Sequence, residues 1–272
     1  MSILDNIISN TRAEVAQRRE QTPVSRLEKY PLFDRTPLRA ADYLRAPGKL
    51  GIIAEVKRQS PSKGIINADF DAPEVARGYE AAGASCISVL TDQKYFGGSL
   101  TDLSRVKAAV ELPVLRKDFI ISEYQITEAK AIGADIILLI AAALPPATVA
   151  SLARFAQQLG LSVLLEVHTL EELQENLHPE VDLIGVNNRD LHSFEISVKH
   201  SLQLAPHIPA QFLRVSESGL TNYEVVPALK QAGYEGFLIG ETFMRERDPG
   251  LALATYSQEL RKALSNAQTV AL

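Results

Sequence analysis

Short runs of apolar residues, separated by amphipathic stretches, dominate the chain from residue 51 onward. Eight such runs, rich in Ile, Val and Leu, begin near residues 51, 85, 112, 135, 161, 182, 212 and 236, an average spacing of about 26 residues. A continuous apolar run predicts a strand buried on both faces, which is typical of a parallel sheet covered by helices. Between the runs, the stretches 72–83, 122–133 and 146–160 have helical periodicity and end in Gly, which favours a helix C-terminus.

Eight strand–helix units at a steady period predict an α/β fold, the (β/α)8 TIM barrel, with an added N-terminal helical segment. A doubly wound sheet is less favoured because the sequence lacks both G-x-G-x-x-G and G-x-x-x-x-G-K-[ST]. Residues 3–19 have one apolar stripe at helical spacing, and four prolines limit helices in 20–50 to short pieces. We expect a helical extension over 1–50 packed on the barrel, a catalytic barrel over 51–265 and a frayed tail over 266–272.

Composition and charge narrow the choice of partners. The 272 residues are 46% hydrophobic and 22% charged, with a net charge of −5, which is typical of a soluble globular protein and does not favour nucleic acid as a partner. The longest apolar run has nine residues, far short of a membrane span, and charges interrupt the N-terminal apolar stretch. We expect a cytoplasmic protein without a membrane partner.

Charged residues cluster where the predicted strands end, the edge of a barrel that carries its chemistry. Two lysines and three glutamates fall there, with an asparagine and an arginine after the sixth strand: Glu55, Lys57, Lys117, Glu166, Glu217, Asn187 and Arg189. Glu55 and Lys57 are two residues apart, so both can face the interior. Each charge alone fits a rim salt bridge, but five on one edge indicate a catalytic cluster because unused buried charges are costly.

Small residues after the last two strands predict a phosphate site. Ser218-Gly219 and Gly240-Glu241 stand where phosphate-binding barrels place backbone N–H groups, and Ser60 can add a hydroxyl. Ordinary turns are the alternative for each glycine. Phe96 and Phe119 follow the second and third strands and predict either local packing or an aromatic wall for a planar substrate.

Other chemistries find no support in the sequence. The five histidines (His168, His178, His192, His200 and His207) lack a short metal-ligand spacing, and the single cysteine, Cys86, lies in a strand pattern and fits a buried hydrophobe. We therefore expect no metal and no cofactor.

Several motifs in order resemble one family, that of indole-3-glycerol-phosphate synthase in tryptophan biosynthesis: IIAEVKRQSPSKG, LTDQKYFGGS, LRKDFI, LLEVH, GVNNRDL, SESGL and FLIGETFM. The resemblance covers almost the whole chain. It implies a single-function carbon–carbon lyase that cyclises, decarboxylates and dehydrates 1-(2-carboxyphenylamino)-1-deoxyribulose 5-phosphate to indole-3-glycerol phosphate. It also implies a small phosphorylated substrate as partner; we expect a monomer or weak homodimer.

The resemblance also implies residue roles. Lys117 matches the general acid, Glu166 the base of the later steps, and Lys57 the partner of the substrate carboxylate and a second proton donor. Further matches are Glu55 and Glu217, which orient the lysines and the anilino nitrogen; Asn187 and Arg189, near the sugar hydroxyls; Ser60, Ser218, Gly219, Gly240 and Glu241, in the phosphate cradle; and Phe96, Phe119, Leu138 and Leu139, around the anthranilate ring.

Two further functions stay open at the level of sequence. One is an aldolase-type barrel in which Lys117 or Lys57 forms a Schiff base with a phosphorylated ketose. The other is a non-catalytic phosphate-binding barrel, for which the lysine and carboxylate set would have no use.

Overall fold

Eight parallel strands close into a barrel in the computed structural model, which describes residues 2–190 and 194–270, the last four by backbone only. The strands are β1 (Ile52–Val56), β2 (Cys86–Leu90), β3 (Val114–Lys117), β4 (Ile136–Ile140), β5 (Ser162–Val167), β6 (Leu183–Asn187), β7 (Leu213–Glu217) and β8 (Tyr234–Ile239). Each strand pairs with its neighbours in the chain, and β1 pairs with β8. All eight begin within two residues of the apolar runs, so the predicted (β/α)8 barrel is confirmed.

Helices surround this barrel and precede it. They are α1 (Ile3–Gln21), α2 (Val24–Leu27), α3 (Ala40–Leu44), α4 (Ala72–Ala81), α5 (Leu100–Lys107), α6 (Glu123–Ala131), α7 (Pro146–Gln158), α8 (Leu170–Glu175), α9 (Lys199–Leu204), α10 (Val226–Gln231), α11 (Glu241–Met244) and α12 (Pro249–Val270). Gly83, Gly133 and Gly160 follow α4, α6 and α7 with φ of 94°, 98° and 76°, the left-handed conformation that ends a helix. A two-strand hairpin of Gln59–Ser60 and Gly64–Ile65 lies in the loop after β1.

Alternation along the strands divides the apolar residues into two clusters. The interior of the barrel holds residues such as Ile53, Leu115 and Leu138, whereas Ile52, Ala54 and Leu139 belong to the layer between strands and helices. This alternation contradicts the expectation that Leu139 shares a pocket with Leu138, because consecutive residues of a strand face opposite sides. Cys86 is buried in the interior cluster, as expected of a small hydrophobe.

The N-terminal helices contact the barrel at both of its ends. In α3, Ala40 and Leu44 join the interior cluster, and the Ala40 backbone N–H donates to Ser162 Oγ at the start of β5 (3.4 Å). Helix α1 buries Ile7, Ile8, Thr11 and Val15, the stripe that the sequence predicts, and a Ser2–Asp5 capping box begins it. The two short helices between α1 and β1, α2 and α3, agree with the proline-rich composition of 20–50.

The last helix extends beyond the boundary expected at residue 265. Helix α12 buries Leu253, Tyr256 and Leu260 and packs against α4. No Gly or Pro follows Gly250, so nothing in the sequence stops the helix before Val270. The side chains of 267–270 and residues 271–272 lie outside the described part, as does His192. Among the described helices, none has the length and apolar character that crossing a membrane requires.

Candidate active site

A cavity of about 290 Å³ opens at the carboxyl ends of the barrel strands. Of the sixteen site residues expected from the sequence, all but Leu139 line it: Glu55, Lys57, Ser60, Phe96, Lys117, Phe119, Leu138, Glu166, Asn187, Arg189, Glu217, Ser218, Gly219, Gly240 and Glu241. Each of the eight strands, or the loop that follows it, thus brings at least one of these residues to the cavity.

Two lysines and three carboxylates form ion pairs at the floor of this cavity. Lys117 Nζ donates to Glu166 Oε2 at 2.8 Å and lies 3.4 Å from Glu217 Oε2. Lys57 Nζ donates to Glu55 Oε1 at 2.7 Å. All three carboxylates are buried, so each interacts with its lysine in a medium that screens charge far less than water does.

Burial and neighbouring charges shift the two carboxylates beside Lys117 in opposite directions. Burial favours neutral Glu166, but Lys117 and His168 outweigh it and hold the pKa of Glu166 well below its usual range. For Glu217, burial dominates and the nearby Glu166 and Glu55 add to it, so the pKa rises to about 7 in spite of Lys117. Burial lowers the pKa of Lys117, yet the carboxylates around it prevail and the net shift is upward. Near neutral pH, Lys117 is therefore an ammonium beside an ionised Glu166.

Residues at the end of β6 orient Glu166 from its other side. Asn187 Nδ2 donates to Glu166 Oε1 at 2.9 Å, so the two oxygens of this carboxylate have different partners. The Arg189 backbone N–H donates to Asn187 Oδ1 at 3.0 Å, which fixes the amide so that its NH2 group faces Glu166.

A glycine on β6 leaves room for Glu217. A Cβ added to Gly185 would lie 2.2 Å from Glu217 Oε1, closer than any non-bonded contact allows. Gly185 pairs with Glu166 on β5, and β7 carries Glu217 on the other side of β6. The missing side chain lets two carboxylates from strands that are not neighbours reach the same ammonium. This role of Gly185 is absent from the sequence analysis.

Apolar side chains form one wall of the cavity. The rings of Phe96 and Phe119 lie 6.1 Å apart at 40°, and Leu138 reaches the cavity from inside the barrel. Asp92 Oδ1 accepts hydrogen bonds from the backbone N–H groups of Tyr95 and Phe96, which fixes the loop that carries the first ring. The wall can receive a flat aromatic group.

The opposite side of the cavity carries small residues and cations. Ser218 and Gly219 have φ of 66° and 75°, and a Cβ on Gly219 would meet Ile196 Cγ2 at 2.4 Å. Three cations surround the carboxylate of Glu241: Lys63 at 3.9 Å, Arg189 at 4.0 Å and Arg245 in direct contact. This side therefore combines left-handed backbone with positive charge, the features that favour a phosphate group.

Comparison with known proteins identifies the family. Residues 4–255 match the family model of indole-3-glycerol phosphate synthase. The chain is 47% identical over 264 residues to the indole-3-glycerol phosphate synthase of Salinibacter ruber, covering 96% of this chain and 97% of the relative. It is 45% identical over 260 residues to that of Bacteroides thetaiotaomicron, covering 95% and 99%. The chain belongs to the indole-3-glycerol phosphate synthase family.

This membership confirms the activity and the enzyme class that the motifs implied, since the family consists of carboxy-lyases of tryptophan biosynthesis.

Comparison with solved structures supports the barrel fold. The 3-hexulose-6-phosphate synthase of Salmonella typhimurium superimposes with a TM-score of 0.62 at 13% identity, covering 78% of this chain and 99% of that one. At such low identity the likeness supports the barrel alone.

Several residues that line the cavity of this family member were missed at the level of sequence: Ile3, Leu4 and Ile7 of α1, with Lys63 and Arg245 beside Glu241. The stripe on α1 showed which of its residues are buried but not what they contact.

The position of His168 beside Glu166 was also missed, although the sequence contains a signal for it. His168 follows Glu166 by two residues, as Lys57 follows Glu55, so the same alternation rule predicts that both face one side.

Among the described residues, no group of three or more His, Cys, Asp or Glu side chains is arranged to hold a metal ion. The expectation of a metal-free and cofactor-free enzyme stays a prediction.

Proposed function

We propose that the cavity binds 1-(2-carboxyphenylamino)-1-deoxyribulose 5-phosphate, that Lys117 is the general acid of ring closure and that Glu166 is the base of the later steps. The observation that carries this proposal is the contact of 2.8 Å between a protonated lysine and an ionised carboxylate inside a buried cavity. Two neighbouring groups with separated pKa values are the usual basis of an acid–base pair.

Ring closure joins the aromatic carbon that bears the carboxylate to the ketone carbon of the sugar chain. The carbonyl oxygen gains negative charge and takes a proton from Lys117 Nζ. The carboxylate then leaves as CO2, and its bonding electrons restore the aromatic ring. In the last step Glu166 takes a proton from the carbon next to nitrogen, while the hydroxyl leaves as water with a proton supplied by Lys57.

The remaining residues bind and orient the substrate in this proposal. Lys57, held by Glu55 at 2.7 Å, pairs with the substrate carboxylate before it leaves. Glu217 Oε1 is buried and accepts no hydrogen bond among the described residues, so it is available to the anilino N–H. Asn187 and Arg189 bind the sugar hydroxyls.

The two ends of the substrate occupy opposite sides of the cavity. The anthranilate ring packs against Phe96, Phe119 and Leu138, while the phosphate binds the side with the left-handed backbone: Ser60, Ser218, Gly219, Gly240 and Glu241. Lys63 and Arg245 add positive charge there. Binding energy from the phosphate end can thus align the reacting atoms with Lys117.

The electrostatics of Lys117 disfavour the Schiff-base alternative. A lysine that forms an imine must be neutral, and enzymes reach this state by lowering its pKa. Here three carboxylates shift the pKa of Lys117 upward. Borohydride treatment in the presence of substrate should therefore leave Lys117 unmodified, whereas a reduced adduct on this lysine would support the aldolase chemistry.

Incubation of the chain with the carboxyphenylamino substrate tests the proposal, with indole fluorescence as the readout of product. Activity that survives Lys117→Met and Glu166→Gln would contradict the assigned roles.

We further propose that the protein acts in the cytoplasm as a monomer or weak homodimer without a nucleic-acid partner. We also propose that 1–50 is an extension distinct from the barrel over 51–265.

A further inference from the structure

His168 lies between the carboxylates of Glu166 and Glu172. It follows β5 directly and is 7% exposed. Its Nε2 is 3.5 Å from Glu166 Oε1, and its Nδ1 is 3.6 Å from Glu172 Oε2 in the first turn of α8. The backbone N–H of His168 donates to the same Glu172 oxygen at 2.6 Å. The peptide of His168 thus fixes the position of the carboxylate that faces its ring.

This arrangement fits only the doubly protonated ring. A neutral imidazole has one N–H, so one of its nitrogens would turn a lone pair toward a carboxylate oxygen. Both distances are within the range of ion pairs but exceed that of an ordinary hydrogen bond, and neither ring nitrogen has a hydrogen-bond partner among the described residues. An imidazolium satisfies both contacts.

The charges of the surrounding elements support the same protonation state. At the floor of the cavity, three carboxylates face the ammonium groups of two lysines, and an imidazolium adds a positive charge beside the ionised Glu166. Titratable groups approach the ring or its peptide from five elements: Glu166 of β5, Glu217 of β7, Glu172 of α8, His200 of α9, whose Nε2 contacts the His168 carbonyl oxygen, and Lys117 of β3 beyond Glu166. Burial lowers the pKa of His168, but Glu172 and Glu166 outweigh it and raise the pKa above 6.5.

We propose that His168 is a positioning residue of the active site, whose imidazolium is anchored by Glu172 and holds the Oε1 side of the Glu166 carboxylate. This inference rests on the proposed role of Glu166 as the base. Asn187 Nδ2 shares Oε1 at 2.9 Å, which leaves Oε2 to Lys117. The imidazolium thereby selects one orientation of the carboxylate, and a displaced base removes its proton more slowly.

The contact is lost as the pH rises through the raised pKa of His168, because the ring then gives up one proton. The expected result is an alkaline-side fall of kcat that begins above pH 6.5. His168→Gln keeps an amide donor but carries no charge. It should lower kcat about ten- to hundredfold with KM nearly unchanged, and the fall above 6.5 should disappear.

The experiment combines ring-nitrogen NMR of the wild-type enzyme with profiles of kcat and KM between pH 5.5 and 9.5. The profiles include His168→Gln, Glu172→Gln and, as a matched control, His207→Gln in an exposed turn. We expect the His168 signals of an imidazolium at pH 6.5, and we expect Glu172→Gln to move the NMR titration and the alkaline limb together to lower pH. The control should match the wild type.

Two results would overturn the inference, and neither requires that His168→Gln folds. One is a neutral His168 ring in wild-type protein at pH 6.5. The other is a kcat profile that stays in place when Glu172→Gln lowers the NMR pKa. Failure of the proposed function gives a different outcome, since active Glu166→Gln would refute the base while the NMR result for His168 stands.

Discussion

Lys117→Met separates the chemical role of this lysine from its structural one. Loss of a general acid lowers kcat about 10²–10⁴-fold, which corresponds to about 3–5 kcal/mol of transition-state stabilisation. Methionine fills a similar volume without the charge, so substrate and product should still bind. The change also leaves Glu166 and Glu217 without the ammonium at 2.8 and 3.4 Å, and this affects stability.

The cost in stability follows from the protonation of Glu166. The attraction lost at 2.8 Å is about 6 kcal/mol at an effective dielectric constant near 20. Taking up a proton at pH 7.5 costs a glutamate with an ordinary pKa of 4.5 about 4 kcal/mol. Protonation of Glu166 costs less free energy than leaving it ionised without Lys117. The free energy of unfolding should therefore fall by no more than about 4 kcal/mol, and a domain stable by 5–15 kcal/mol stays folded after such a loss. Glu217 adds little because its pKa is already raised.

The sign of the pH dependence is set by the direction of this shift. Without Lys117, burial should raise the folded-state pKa of Glu166 above its unfolded value. The penalty is then absent below pH 4.5, grows as the pH rises toward the folded-state pKa and is constant above it. The melting temperature of Lys117→Met should fall further below wild type at pH 7.5 than at pH 5.5.

Steady-state fluorescence kinetics, product binding and thermal unfolding at both pH values measure these effects. Lys262→Met is the control, because Lys262 is exposed on α12 and pairs only with Glu259 among the described residues. More than about a tenth of wild-type kcat in Lys117→Met would refute the general-acid role. An equal decrease of melting temperature at both pH values would refute the electrostatic argument.

Four further predictions test the binding and chemical roles of other groups. Lys57→Met should chiefly raise KM, because a ground-state ion pair with the substrate carboxylate is lost, and the loss of its proton to the leaving hydroxyl should lower kcat as well; a lower kcat at unchanged KM would contradict the binding role. A dephosphorylated substrate should lose most of kcat/KM, and equal turnover of both forms would refute the phosphate site. Dialysis against a chelator should leave kcat unchanged, whereas loss and recovery with a divalent ion would show that a metal is needed. Gly185→Ala should lower kcat about ten- to hundredfold, since its Cβ displaces Glu217; wild-type kcat would show that Glu217 can move without cost.

Periodicity made the barrel and most of its cavity predictable from the sequence. Strands buried on both faces produce continuous apolar runs, and a closed barrel gathers the ends of such runs at one edge. Glu55, Lys57 and Lys117 could therefore be placed together without knowledge of any contact. Leu139 shows the limit of the argument, because the resemblance pointed to a stretch where alternation permits only Leu138 to face the interior.

Contacts between distant parts of the chain could not be predicted in this way. The stripe on α1 has the same pattern whether it covers helices or the mouth of a cavity, so Ile3, Leu4 and Ile7 gave no sign of their position beside the site. The cations Lys63 and Arg245 lie outside strand ends, in a loop and after a short helix. Their approach to Glu241 depends on how loops fold over the barrel, which no local pattern records.

Gly185 shows why the different pKa shifts of Glu166 and Glu217 depend on three strands. Glu166 and Glu217 belong to β5 and β7, which β6 separates. A side chain on β6 would keep the carboxylates apart, and each would then titrate according to burial and its own partners. Because Gly185 leaves this space to Glu217, both carboxylates reach the ammonium of Lys117. The ammonium keeps the nearer carboxylate, Glu166, ionised, while burial raises the pKa of Glu217 to about 7. The opposite pKa shifts of Glu166 and Glu217 therefore depend on a missing side chain on β6, a strand that contributes neither carboxylate.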